Sequence, residues 1–273
     1  MSNWSRAQLK DRAKAVLRVN YWIAFVVALI LAFVTGSGSG AGSNSGFRTS
    51  YNNNNNYSFE ENVYDYDYND DFEMNSFINV RGFIDDFAWP LAGLAIGVIL
   101  VILLFVVGIG VFLFNPLAVG CYKFFSTSAE TPHKSFAPLG VAFKQGNYWG
   151  IVAGMFLMQL YAFLWTLLLI IPGIIKAYAY RMVPYLLADN PQMEANEAIT
   201  LSRKMMDGEK WEAFVLDLSF IGWYLLGLLA CCIGVIFVNP YKFSADAQLY
   251  LVLRDKAINK GYCTPEMLNL TAN

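Results

Sequence analysis

This chain has little charge: Asp, Glu, Lys and Arg make up 15% of its 273 residues, where soluble domains carry about 25%. That leaves too little polar surface to clothe an apolar core of this size and excludes an ordinary soluble fold. It has one histidine, His133, in a Thr-Pro-His-Lys linker without metal-ligand company. HExxH, Gly-x-Ser-x-Gly and a phosphate-binding loop are all missing, so no enzyme activity, catalytic residue, cofactor or metal is expected. The four cysteines, Cys121, Cys231, Cys232 and Cys263, lack CxxC spacing and sit in or beside apolar runs. They read as buried free thiols. There is no basic excess either: the net charge of −2 argues against nucleic acid as a partner.

What the chain does have is apolar length. It is 56% hydrophobic with a mean hydropathy of +0.40. The runs Trp89–Phe114, Tyr148–Ile175 and Phe214–Val238 each approach or exceed the ~20 residues that cross a bilayer. The expected fold class is therefore all-α, a polytopic membrane helical bundle.

The runs recur in an ordered way. A basic stretch leads to a tryptophan (Trp22, Trp149, Trp211), then an apolar run, then a second run led by glycine (Gly110, Gly173, Gly234). Gly110 and Gly234 open matching heptapeptides, Gly-Val-Phe-Leu-Phe-Asn-Pro and Gly-Val-Ile-Phe-Val-Asn-Pro. Such self-similarity indicates one supersecondary unit used several times. The reading is six spans as three helical hairpins: repeat 1 over 5–128, repeat 2 over 134–189, repeat 3 over 193–256, and a cytoplasmic tail over 257–273. Helix breaks or kinks are expected at Pro116, Pro172-Gly173, Gly234 and Pro240.

Repeat 1 is interrupted by an acidic extracellular loop, 36–87, rich in Gly, Ser and Asn, whose composition cannot offset the entropy of ordering it. Its Asp65–Asp71 stretch lacks the glycine and closing glutamate of a calcium loop, and reads as solvated acid. The basic residues Arg6, Lys10, Arg12, Lys14 and Arg18 precede the first apolar run, as in a signal peptide. Leu9, Ala13, Val16 and Leu17 share a helical face, however, and the same arrangement recurs before Trp149 and Trp211, which favours a retained first helix. Basic residues cluster before the first span, around the two internal connections and after the last span. The positive-inside rule then gives a multi-pass plasma-membrane protein with both termini cytoplasmic. The amphipathic helices Ser5–Arg18 and Met193–Lys204 are expected to meet membrane lipids, the underside of the bundle, or a membrane or cytoplasmic protein partner.

The stretches Trp165–Lys176, Ala195–Gly208 and Leu216–Trp223 resemble the bacterial integral membrane family catalogued as domain of unknown function 975. The likeness runs from about Phe163 to Arg254 and, more loosely, through Asn115–Gly120 and the basic amino-terminal helix. It implies a membrane-helical topology and supplies no mechanism.

Ionisable residues inside spans are costly and are candidates for function. Arg181 and Lys242 hold equivalent repeat positions, Asp217 and Asp246 are the nearby acids, and Lys176 lies in the same return span. Lys242 and Asp246 have the spacing that pairs side chains on one helix face. Two readings stay open: a structural ion-pair network locking the hairpins, and a polar pathway or anionic-ligand site. They imply a non-enzymatic scaffold or partner- and lipid-binding envelope component in one case, and a small transporter of an anionic or amphipathic solute in the other.

Overall fold

The structure, a computed structural model, describes residues 4–35, 73–131, 135–144, 146, 148–229 and 233–270, with the backbone alone for 73–89 and 233. His133, Cys231, Cys232 and the Asp65–Asp71 stretch fall outside the described residues. All regular elements among the described residues are helical. They are α1 (Arg6–Thr35), α2 (Glu73–Ile109), a π-helical turn (Gly110–Phe114), α3 (Asn115–Glu130), a 3-10 helix (Ala137–Phe143), α4 (Tyr148–Leu168), α5 (Ile170–Tyr180), α6 (Val183–Asp189), α7 (Ala195–Met205), α8 (Lys210–Leu229), α9 (Ile233–Asn259) and a 3-10 turn (Glu266–Leu268). The chain divides into two units, Met1–Gly42 with Gly108–Asn273, and Ser43–Val107. Within Ser43–Val107 the backbone is helical from Glu73, so the end of the segment read as acidic loop is helix.

Among the described residues, four helices are long and apolar enough to cross a membrane: Arg6–Thr35, Pro90–Glu130, Tyr148–Leu168 and Lys210–Leu229. Two of the six expected spans are absent from that set. The return segment Ile174–Ala188 is broken into α5 and α6, and every residue of α6 is buried. The last return segment lies in α9, which is long enough but carries Lys242, Asp246 and Arg254.

Two of the irregularities lie where proline removes a backbone donor. Pro184 cannot donate to the carbonyl of Tyr180, and the chain turns at Arg181 and Met182. The buried Ser202 hydroxyl of α7 bridges that turn, accepting from the Met182 N–H at 3.2 Å and donating to the Ala179 carbonyl at 2.8 Å. Pro116 likewise frees the Phe112 carbonyl, which receives the Tyr148 hydroxyl at 2.5 Å. The result there is a π-helical turn running into α3.

The other hinge expectations need correction. The break between α4 and α5 is at Leu169, in extended conformation (φ −157°, ψ 136°), ahead of Pro172. Pro172 sits in the first turn of α5, where its missing N–H would have had no helical partner. Gly234 is inside the first turn of α9, and Pro240 is carried within the same helix. In α1 the chain does kink, at Asn20 (φ −137°, ψ 35°), between its basic and apolar halves.

What the glycines allow instead is close approach between consecutive helices. A Cβ on Gly173 would lie 2.7 Å from the Thr166 Cα, and one on Gly234 would lie 2.6 Å from the Gly227 Cα. In each case the facing residue is seven positions earlier, so α4 with α5, and α8 with α9, meet backbone to backbone.

The core of the Met1–Gly42 and Gly108–Asn273 unit gathers around α6. Tyr185 stacks on Tyr250 of α9 at 4.9 Å and meets Tyr122 of α3 edge-on at 4.8 Å. Leu9, Ala13, Val16 and Leu17 of α1 are buried against the protein's own body. The segment 257–273 is docked as far as it is described: Leu268 is buried, and Asn190 donates to the Met267 carbonyl at 2.9 Å. Cys263 in this segment is buried, which raises its thiol pKa and keeps it protonated at neutral pH.

Gly227→Ala is expected to lower stability by about 1–3 kcal/mol in thermal unfolding of the purified protein, because the added methyl meets backbone that cannot move aside. Gly222→Ala, on the same helix with nothing within 4 Å of the new methyl, should instead raise it, by about 0.5–1 kcal/mol.

Candidate functional site

The turn after α5 aims Arg181 away from its own helix and between α8 and α9. Its guanidinium holds Asp217 of α8 with two hydrogen bonds, 3.0 Å to Oδ2 and 2.9 Å to Oδ1. One of the same nitrogens reaches Asp246 of α9 at 2.6 Å. Lys242, one helical turn before Asp246, lies 2.8 Å from Asp246 Oδ2 and 3.0 Å from Asp217 Oδ1. Cations and carboxylates therefore alternate around a closed ring: Arg181, Asp217, Lys242, Asp246. Tyr178 adds a hydroxyl donor to Asp217 at 2.9 Å. The sequence-derived set Arg181, Lys242, Asp217 and Asp246 is thus brought together.

This ring has no net charge, which is what an apolar setting demands. A single charge stripped of water there is expensive, whereas an alternating set satisfies each member with its neighbours. The four side chains stay between 11% and 27% exposed and line a recess of about 250 Å³ with Ala177 and Tyr178. The recess is polar but presents no spare cation, since each of Arg181 and Lys242 faces both carboxylates.

Lys176 does not join them. Its ammonium stands 4.6 Å over the Trp165 ring, on the wall of a separate cleft with Arg203, Lys204, Asp207 and Lys210.

A second network holds residues that sequence reasoning missed. Asp189 closes α6 with its carboxylate almost fully buried, at 2% exposure. It accepts from Lys123 of α3 at 2.8 Å, from the Tyr250 hydroxyl at 2.6 Å and from Arg254 at 3.3 Å. Arg254 also reaches Glu130 at the end of α3 at 2.5 Å. This set too is neutral, and it ties α3, α6 and α9 at a single carboxylate. A third knot lies at Glu209, which pairs with Lys256 and accepts from the Trp4 indole at 2.9 Å. The signals in the sequence were Pro184, an unabsorbed proline inside a predicted helix, and Asp189, which reads locally as the opening of the next helix.

Asp189→Asn leaves Lys123 and Arg254 without their shared carboxylate. It is expected to cost about 3–5 kcal/mol, read as the fall in unfolding midpoint of the purified protein, and Tyr250→Phe should cost only about 1 kcal/mol.

No curated protein and no solved structure matches the chain. A family model described as "Protein of unknown function (DUF975)" matches residues 94–257, which takes in α3 to α8, most of α9 and every member of the two four-charge networks. The chain belongs to the DUF975 family of proteins of unknown function.

Proposed function

We propose that the protein is a non-enzymatic scaffold of the plasma membrane, crossing it six times as three hairpins with both termini in the cytoplasm. In this role its cytoplasmic surface meets lipid headgroups and a membrane or cytoplasmic protein partner. The observation that carries the reading is the closed, neutral ring of Arg181, Asp217, Lys242 and Asp246. A transport site for an anion would leave a cation available to its solute. Here both cations are committed to two carboxylates, and the network crosses between helices as a tie would.

Two further features support the membrane arrangement. Trp22, Trp149 and Trp211, the markers of the sequence repeat, are 73%, 71% and 70% exposed. Equal exposure of an amphipathic ring at equivalent positions suits an interfacial aromatic belt. The tight approaches at Gly173 and at Gly227 with Gly234 are those that two successive hairpins would need. On this reading α5 with α6, and α9, are the returning halves, and the charges on α9 are neutralised within the protein rather than exposed to lipid.

The recess of about 250 Å³ at Arg181 favours a second reading, a small transporter whose anionic or amphipathic solute passes Arg181 and Lys242. Chloride, phosphate and glutamate flux into proteoliposomes separates the two. The scaffold reading predicts flux no faster than in protein-free vesicles. It is overturned by solute flux that a folded Arg181→Gln variant abolishes.

Topology has its own test in a cysteine-free background. Maleimide applied to intact cells should label Ser58→Cys and leave Thr264→Cys unlabelled until the membrane is opened. The reverse pattern would contradict the orientation.

A further inference from the structure

The buried charges described above sit in balanced sets, and so do the charges around the cleft of about 430 Å³, where Arg12 and Arg254 share the walls with Glu130 and Asp255. Another cleft departs from this pattern. About 370 Å³ in volume, it is lined by Lys176 of α5, Arg203 and Lys204 at the end of α7, and Lys210 at the start of α8. Among the described residues the single acid on its wall is Asp207, whose side chain is 85% exposed and approaches Lys210 only to 3.8 Å. A contact that long and that wet neutralises little.

Three separate elements therefore bring four cations to one concave surface with one weakly engaged carboxylate. Lys176 is held over the Trp165 ring at 4.6 Å, a contact that orients the ammonium while leaving N–H donors free. Arg203 offers the planar fork that suits two oxygens of one phosphate. Apolar side chains flank these cations: Ile175 lines the cleft, and Ile174 and Trp211, beside it in sequence, are 53% and 70% exposed.

We infer that this cleft binds the phosphate group of an anionic glycerophospholipid, with Lys176, Arg203, Lys204 and Lys210 around its oxygens and the acyl chains along the exposed isoleucines of α5. The assignment rests on the lipid-contacting part of the scaffold reading and names its ligand. A soluble phosphate ester shares the headgroup chemistry, but it has no use for the apolar flank.

Binding is read by native mass spectrometry of the full-length protein in detergent, titrated with phosphatidylglycerol, phosphatidylcholine, inorganic phosphate and glycerol 3-phosphate. Phosphatidylglycerol should bind at least roughly tenfold more tightly than phosphatidylcholine, and the Arg203→Gln/Lys204→Gln protein should lose roughly tenfold of that affinity. Lys210→Gln, a second and independent variant, should weaken it in the same direction. Lys144→Gln, an exposed cation outside the cleft, should leave it unchanged. Equal affinity for the two lipids overturns the inference, as does an unaffected Arg203/Lys204 variant or an equal loss in Lys144→Gln. Inorganic phosphate or glycerol 3-phosphate binding as tightly as phosphatidylglycerol overturns the lipid assignment in favour of a soluble ester. The flux outcome is read separately, so a failed scaffold reading and a failed lipid site are distinguishable.

Discussion

A charge removed from water must find an opposite charge and enough hydrogen bonds, or the fold excludes it. In this protein that requirement is met by alternation. Arg181, Asp217, Lys242 and Asp246 form one four-membered set, and Lys123, Asp189, Arg254 and Glu130 form another. Each is neutral as a whole, and each joins helices that are distant in sequence. Apolar packing around Tyr185 and Tyr250 supplies the bulk of the burial, and a slipped register would cost it packing. The ionic sets add a sharper penalty, because a helix displaced by one residue would strand a carboxylate.

Proline and glycine provide the geometry that lets those sets close. Without Pro184 the segment from Ile170 to Asp189 would run on as one helix, and Arg181 would point along the helix face rather than from a turn. Ser202 makes the turn tolerable by serving both the Met182 N–H and the Ala179 carbonyl. Tyr148 does the same for the carbonyl that Pro116 frees. Side chains from elsewhere in the fold thus complete backbone bonds that local sequence leaves open, which couples the breaks to the assembled bundle.

Much of this was legible in the sequence, and the failures have physical causes. The repeat register pointed to Arg181 and Lys242 and, with helical spacing, to Asp246, because an ionisable residue in an apolar run needs a partner wherever the chain goes. The kink at Asn20 between the basic and apolar halves of α1 was not expected, since neither proline nor glycine marks it. Asp189 was missed because a carboxylate followed by Asn and Pro looks the same whether it opens a helix or closes a buried one. Pro172 misled because a proline within a first turn removes no helical bond, so the break moved to Leu169. Lys176 was grouped with Arg181 on sequence proximity, yet its helix turns it toward Trp165 and a different surface. The glycine contacts were invisible because they depend on a neighbouring backbone rather than on local conformation.

The central claim is that the ring at Arg181 is a tie between helices rather than a place for a solute. A double-mutant cycle on Arg181→Met and Asp217→Leu, read as unfolding free energy of the purified protein, tests it directly. Removing both leaves the neutral Lys242–Asp246 pair, so the double variant should recover much of what either single substitution loses, with a coupling of about 1–3 kcal/mol. Additive losses, with no coupling between the two positions, would contradict the account.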